Sequence, residues 1–120
     1  MRSKDREQTA AQLESATSRI SELEAEVARL QGRDPLVASL LTLSAFRAQL
    51  EMDVRRSQRY GRALTVVLVD VDGFKTLNSR LGYAGGDLVL AAVGTRLAAG
   101  TRVHDLACRT GADEFALLLP

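Results

Sequence analysis

The chain has 120 residues, of which 46% are hydrophobic and 26% are charged, and its formal net charge is +1. This composition excludes a disordered chain, and the lack of a basic excess argues against a nucleic-acid partner. A single cysteine and a single histidine exclude an internal disulfide and a zinc site. No apolar run reaches the length of a membrane segment. We therefore expect a cytoplasmic protein with one modest domain, in which Cys108 is a buried structural thiol.

A heptad pattern extends over the first part of the chain. Apolar side chains form two interleaved series with a spacing of seven residues, at Leu13, Ala16, Ile20, Leu23, Val27 and Leu30. Taken as a and d positions, with Ile and Val at a and Leu at d, they favour a parallel two-stranded coiled coil. We predict a dimerisation helix over residues 1–33. The alternative is a single amphipathic helix folded back on its own domain, because the pattern covers only about three heptads.

Residues 34–120 have the pattern of an α/β domain. Helical spacing extends from Leu43, with Ser44 as the predicted cap and Gly61 as the end. The run at 64–69 is continuously apolar and rich in β-branched residues. Such a run predicts a strand that is buried on both faces, at the centre of a sheet covered by helices.

Two further helices and a hairpin are predicted beyond this strand. The first helix ends at Gly82, and residues 85–87 open the second. The runs at 106–109 and 115–119 predict two strands joined by a short turn with an acidic tip.

Carboxylates follow predicted strands at two places. Asp70 and Asp72 end the first strand, and Asp113 and Glu114 lie at the hairpin tip. If the hairpin pairs beside that strand, these like charges converge on one edge of the sheet and need a cation among them. Oxygen ligands without His or Cys suit Mg²⁺, which binds a few carboxylates together with substrate phosphates. The alternative, slightly favoured by spacing alone, is that acidic residues occupy these turns only because turns are solvated.

The two acidic segments resemble a known signature. Residues 69–78 (VDVDGFKTLN) and 82–87 (GYAGGD) are similar to the aspartate-rich motif of GGDEF diguanylate cyclase domains. Residues 109–115 (RTGADEF) resemble the hairpin motif of the same family. Two motifs in the family's order and separation are far more specific than either alone. Residues 34–120 are identified as the N-terminal part of a GGDEF domain, which implies the α+β palm-like fold of nucleotide cyclases, with a central sheet flanked by helices.

The resemblance implies a diguanylate cyclase, which condenses two GTP molecules into cyclic di-GMP and releases pyrophosphate in bacterial second-messenger signalling. Two such domains face each other during the reaction, which agrees with a homodimer held by the first helix. The alternatives are a catalytically inactive domain that binds GTP or cyclic di-GMP as an effector, and a module that only dimerises.

The resemblance also implies which residues carry the catalysis. Asp70, the backbone carbonyl of Val71 and Asp113 would hold Mg²⁺ or Mn²⁺. The side chain of Lys75 would offset charge that develops on the phosphates. Glu114 would assist loss of the 3′-hydroxyl proton or bind a second metal ion.

Substrate binding is implied at a further group of matched positions. The backbone N–H groups of Gly73, Phe74 and Lys75 would bind the triphosphate at a helix N-terminus, where the helix dipole favours anions. Asn78 and Asp87 would hydrogen-bond the guanine edge and select GTP.

The sequence Arg-x-x-Asp before the hairpin matches the family's inhibitory site. Arg102 and Asp105 would bind the product cyclic di-GMP there, since an arginine fork pairs well with a phosphate or a guanine edge. A surface salt bridge is the alternative.

Several features depart from the family pattern. Ala112 stands where the hairpin motif has its second glycine, so a methyl group could fit beside the nucleotide or crowd it. The opening stretch at 34–46 lacks the usual Gly and Asn-Arg, and Tyr83 replaces a His. The sequence given stops at Pro120, directly after the hairpin strand, so we expect a C-terminally truncated domain, either a fragment of a longer protein or a degenerate remnant. Its run at 115–119 would form an exposed hydrophobic sheet edge.

Overall fold

The computed structural model describes residues 2–120, which form three helices and one small sheet. The elements are α1 (Ser3–Leu30), α2 (Leu43–Tyr60), β1 (Thr65–Asp70), α3 (Phe74–Ala99), β2 (Leu106–Arg109) and β3 (Glu114–Leu119). The strands are antiparallel and lie in the order β1-β3-β2. Within the described range, none of the helices is long and apolar enough to cross a membrane.

Helix α1 buries none of its side chains. Its apolar seam is open to solvent, with Leu13 63%, Ile20 56% and Val27 50% exposed. The helix ends near Gly32, whose positive φ of 72° lets the chain turn while the N–H of Arg33 bonds to the carbonyl of Ala28 at 2.7 Å. The predicted helix is present, and the coiled coil remains a prediction.

Helix α2 begins one residue after Thr42, whose hydroxyl accepts a hydrogen bond from the N–H of Ala45 at 3.3 Å. The predicted cap at Ser44 is therefore wrong, because Ser44 already lies in the helix and Thr42 has the extended backbone that a cap requires. Gly61 ends the helix in the left-handed conformation, with a φ of 64°, as predicted.

The sheet places the two long apolar runs differently from the prediction. Strand β3 lies in the middle and pairs with β1 on one side and β2 on the other. Strand β1 is an edge strand, in which Val66 is 45% exposed and Leu68 is 68% exposed. The prediction of a central first strand buried on both faces is wrong. The prediction of an exposed sheet edge at 115–119 is also wrong, because β3 is paired on both sides.

The two faces of the sheet pack against different helices, as the α/β prediction requires. The hydrophobic core on the α3 side of the sheet consists of Val37, Leu40, Phe74, Leu90, Ala107 and Phe115. The face toward α2 contains Phe46, Cys108, Ala116 and Leu118. The register puts Val66 and Leu68 on this second face. They are exposed because α2 packs over β2, at the opposite edge of the sheet.

Helix α3 consists of two helical segments joined at Gly82, which has a φ of 74° and a ψ of 173°. The first segment ends at this glycine, as predicted. The second resumes directly after it, so residues 85–87 lie inside the helix rather than opening it. Asp87 is consequently beyond the first turn in which the sequence pattern placed it.

Candidate active site

The end of β1 and the tip of the β2–β3 hairpin meet at one edge of the sheet. Asp70 and Glu114 are direct partners on neighbouring strands. The N–H of Val71 donates to the carbonyl of Asp113 at 3.1 Å and extends the pairing by one residue. The structure thus brings Asp70, Asp113 and Glu114 together from separate parts of the sequence, while Asp72 lies in the exposed turn that follows β1.

Two carboxylates opposite each other on paired strands repel unless a cation lies near them. In residues 2–120, no Lys, Arg or His forms an ion pair with Asp70, Asp113 or Glu114. The same range contains no group of three or more His, Cys, Asp or Glu side chains that could hold a metal ion. An incomplete oxygen donor set of this kind fits Mg²⁺, which binds one or two carboxylates and completes its shell with water and substrate phosphates.

Arg109 holds the hairpin turn. Its Nε donates to the carbonyl of Gly111 at 3.1 Å and its Nη2 to the carbonyl of Ala112 at 2.9 Å. Its Nη1 lies 3.9 Å from Oδ2 of Asp34, a buried carboxylate that also accepts two backbone N–H bonds of the following turn. The guanidinium therefore ties the acidic tip to the start of the domain.

Ala112 does not strain the turn. No residue other than glycine in the described range has a positive φ, so the backbone at Ala112 is one that alanine adopts at ordinary cost. The departure from glycine at this position therefore adds a methyl group without backbone strain.

The first turn of α3 begins directly beside the acidic edge. Gly73 precedes the helix with a φ of 67°, and its carbonyl accepts the N–H of Leu77 at 3.0 Å. The first N–H groups of a helix have no intrahelical partner and carry partial positive charge. Phe74 is buried and anchors this turn, whereas Lys75 is exposed. A helix N-terminus and a lysine that forms no ion pair within residues 2–120 thus follow Asp70 by only a few residues.

The bend at Gly82 brings Asn78 against Gly86, the residue that precedes Asp87. The Oδ1 atom of Asn78 is buried beside Gly86, and Asp87 is the next residue and is exposed. A single continuous helix would hold these positions more than two turns apart.

Arg102 and Asp105 form a tight turn at the other end of the sheet. The N–H of Arg102 donates to Oδ2 of Asp105 at 2.8 Å, and the N–H of Asp105 returns a bond to the carbonyl of Arg102 at 3.1 Å. A pocket of about 520 Å³ at this turn is also lined by Arg96 and by Leu119. Since Leu119 and Glu114 are the two ends of β3, this pocket is separate from the acidic edge.

A comparison with protein families assigns the domain. The family described as "Diguanylate cyclase, GGDEF domain" matches residues 34–120. The chain belongs to the GGDEF family. The predicted resemblance is thereby confirmed.

Known members share both the sequence and the fold of this GGDEF domain. The chain is 37% identical over 108 residues to the diguanylate cyclase TpbB of Pseudomonas aeruginosa, a match that covers 90% of this chain and 25% of TpbB. The chain thus spans about a quarter of the length of that relative.

Solved structures of the family superpose well. The GGDEF domain of DgcB from Caulobacter crescentus, in complex with c-di-GMP, matches with a TM-score of 0.72 and 27% identity, over 74% of this chain and 52% of that one. The diguanylate cyclase SiaD of Pseudomonas aeruginosa, in complex with its activator SiaC, matches with a TM-score of 0.71 and 31% identity, over 98% and 48%. The palm-like fold is confirmed.

The link between Asp34 and Arg109 in this GGDEF domain was not found from the sequence. The available signal was the Asp-Pro dipeptide, since an Asp before a turn commonly accepts the N–H groups that follow it. The pairing partner could not be read, because Arg109 lies more than seventy residues away in the chain.

Proposed function

We propose that this GGDEF domain is a diguanylate cyclase that condenses two GTP molecules into cyclic di-GMP and releases pyrophosphate. The observation that carries the proposal is the pairing of Asp70 with Glu114, which sets carboxylates beside the N-terminus of α3. The naming of TpbB as a diguanylate cyclase supports the same reaction.

The acidic edge would hold the metal. Asp70, Asp113 and the carbonyl of Val71 would bind Mg²⁺ or Mn²⁺, which when bound neutralises phosphate charge. Their lack of ion pairs in residues 2–120 supports this role, because an arginine paired with a carboxylate would repel a metal ion and occupy the oxygen atoms that should bind it.

Residues of α3 would bind and orient the triphosphate. The N–H groups of Gly73, Phe74 and Lys75 would bind phosphate oxygens at the positive end of the helix. The Lys75 side chain, which is exposed and forms no ion pair among the described residues, would stabilise charge that develops on the leaving pyrophosphate. Glu114 would accept the proton of the 3′-hydroxyl or contribute to a second metal ion.

Asn78 and Asp87 would bind the guanine edge. A carboxylate accepts hydrogen bonds from the N–H groups that guanine presents, and a neutral amide can both donate and accept. A site built to pair with these groups rejects a base that lacks them, because its own polar atoms would be left unsatisfied.

The reaction needs two domains, and α1 would bring them together. Its seam residues are largely exposed in the single chain, which supports their burial against a second copy. Leu23→Asp would place a charge in the seam and Ser18→Asp would place one on the outer face. We expect only the first to abolish a dimer in sedimentation experiments.

A second candidate is an effector that binds cyclic di-GMP without turnover. It is favoured by the position of Arg102 and Asp105 in a pocket separate from the acidic edge, so that product binding does not require catalytic residues. The DgcB domain in complex with c-di-GMP supports binding of this ligand.

The deciding experiment is mass spectrometry of the products after incubation with GTP and Mg²⁺. We expect cyclic di-GMP from the parent chain and none from Glu114→Gln. Product from Ala112→Gly but not from the parent would show that the methyl group crowds the nucleotide and would favour the effector. Product from the parent and equally from Glu114→Gln would contradict the role of Glu114.

A further inference from the structure

The bend in α3 brings together two residues that a regular helix would separate. Asn78 and Gly86 are eight positions apart, which corresponds to about 12 Å along a continuous helix. In the structure they are in contact, because the extended ψ of 173° at Gly82 redirects the second segment back toward the first.

Gly86 leaves no room for a side chain at this contact. A Cβ atom built on Gly86 would lie 2.0 Å from Oδ1 and 3.0 Å from Cγ of Asn78. It would also lie 3.3 Å from Cζ of Phe74, a residue that is only 8% exposed and whose ring cannot withdraw cheaply from its packed surroundings. The backbone at Gly86 is an ordinary helical one, so the position requires glycine for space and not for conformation.

Packing, not hydrogen bonding, holds this end of the Asn78 side chain. Its Oδ1 is buried and has no hydrogen-bond partner among the described residues. Because no hydrogen bond restrains Oδ1, its position is set by the atoms that it touches. A methyl group added at Gly86 would therefore displace the amide of Asn78. The placement of Asn78 therefore depends directly on Gly86.

We infer that Gly86 is a positioning residue for base selection, and that its missing side chain seats the amide of Asn78 beside Asp87. The inference rests on the proposed function, in which Asn78 and Asp87 read guanine. The acidic edge takes no part in this contact. Phe74 of the phosphate-binding turn borders it at 3.3 Å, but the tightest approach is to the amide of Asn78, so we expect the larger effect of Gly86 on the choice of base.

The test measures binding without turnover. The α,β-methylene analogues of GTP, ITP and ATP are titrated by calorimetry, with Mg²⁺, into the parent chain, Gly86→Ala, Asn78→Ala and the double variant. We expect Gly86→Ala to reduce the preference for the GTP analogue over the ATP analogue by about tenfold or more, the loss that accompanies a displaced hydrogen bond to a base. The matched control Gly100→Ala should retain the preference, because a Cβ at that position meets only ordinary contacts, the nearest at 3.5 Å.

Thermal unfolding of the same variants tests the packing separately. Gly86→Ala should be less stable than the parent, and the double variant should recover most of this loss, since Asn78→Ala removes the atoms that collide with the new methyl group. In binding, the double variant should resemble Asn78→Ala alone.

The outcomes separate the inference from the function on which it rests. Loss of preference in Asn78→Ala together with full retention in Gly86→Ala overturns the inference and leaves the proposed function intact. A parent chain that does not bind the GTP analogue, or an Asn78→Ala variant with unchanged preference, overturns the proposed base recognition and the inference with it. A double variant that binds more weakly than Asn78→Ala shows that Gly86 acts by another route and also overturns the inference.

Discussion

Strands β1 and β3 are alike in sequence and opposite in environment. Each has six residues, each is mainly apolar, and they pair with each other along their whole length. In β3, Phe115, Ala116 and Leu118 are at most 1% exposed. In β1, Val66 and Leu68 are 45% and 68% exposed.

The difference shows that an apolar run predicts a strand but not its position in a sheet. Leu68 lies opposite Ala116 and Val66 lies opposite Leu118, on the same face. Only the β3 members of these pairs are covered, because α2 packs over the β2 side of the sheet. The environment of each residue is thus decided by a helix distant in sequence.

The largest expected effect is a difference in unfolding free energy between two leucine-to-alanine variants, one in each strand. Leu118→Ala should lower the free energy of unfolding by about 2–5 kcal/mol, since it removes a fully buried side chain and leaves a cavity. Leu68→Ala should lower it by less than about 1 kcal/mol, because most of that side chain is already in water. Urea denaturation with matched m-values measures both. Equal losses would show that β1 is covered in solution.

Burial of a thiol against β3 also predicts that the stability of the fold depends on pH. Cys108 on β2 lies opposite Ala116 of β3, and burial raises the pKa of its thiol from 9.0 to about 11. The folded state therefore keeps a proton that the unfolded chain loses. The contribution to stability is complete below about pH 9 and is lost as the pH rises through 11, by on the order of 1–3 kcal/mol.

Denaturation of the parent and of Cys108→Ala at pH 8 to 11 isolates this contribution. The difference in stability between the two chains should shrink as the pH rises. A constant difference would show that the thiol is hydrated and that this face of β3 is more open than its packing indicates.

Hydrogen exchange distinguishes the two edges of β1. Because the N–H of Val71 donates to β3, alternation along an antiparallel pair directs the N–H groups of Val67 and Val69 toward β3 and those of Val66 and Leu68 away from it. The second pair should exchange about tenfold faster or more, whereas amides along β3 should all be protected. Protection of the Leu68 amide would mean that another strand covers this edge.

The smallest expected effect on stability comes from placing a charge at an exposed position of β1. Leu68→Lys should change the free energy of unfolding by only about 0.5 kcal/mol, the usual range for an exposed position. It should also reduce concentration-dependent light scattering, because a lysine on an open strand edge disfavours pairing with other chains. Unfolding of this variant would place Leu68 in a core, against the arrangement described.

Much of the fold could be predicted from local patterns. The heptads of α1, the end of α2 at Gly61, the hairpin and the break at Gly82 each depend on residues close together in sequence. The acidic edge was predictable too, because two motifs with a known order already imply that the hairpin pairs beside the strand ending at Asp70.

Contacts between distant residues could not be predicted in the same way. The ion pair between Arg109 and Asp34 and the packing of Asn78 against Gly86 depend on how segments fold onto one another. A Gly-Gly-Asp sequence suggests a helix start, yet here the glycine is required because a neighbouring side chain occupies the space.

The amino-acid sequence by itself determined the family and the kinds of elements, and it predicted the residues that would handle GTP, because each of these depends on residue type and short-range spacing. Only the tertiary structure decided that β3 lies at the centre of the sheet and β1 at its edge. The physical reason is that burial belongs to a surface and to what covers it, and the segments that cover β3 are separated from it along the chain.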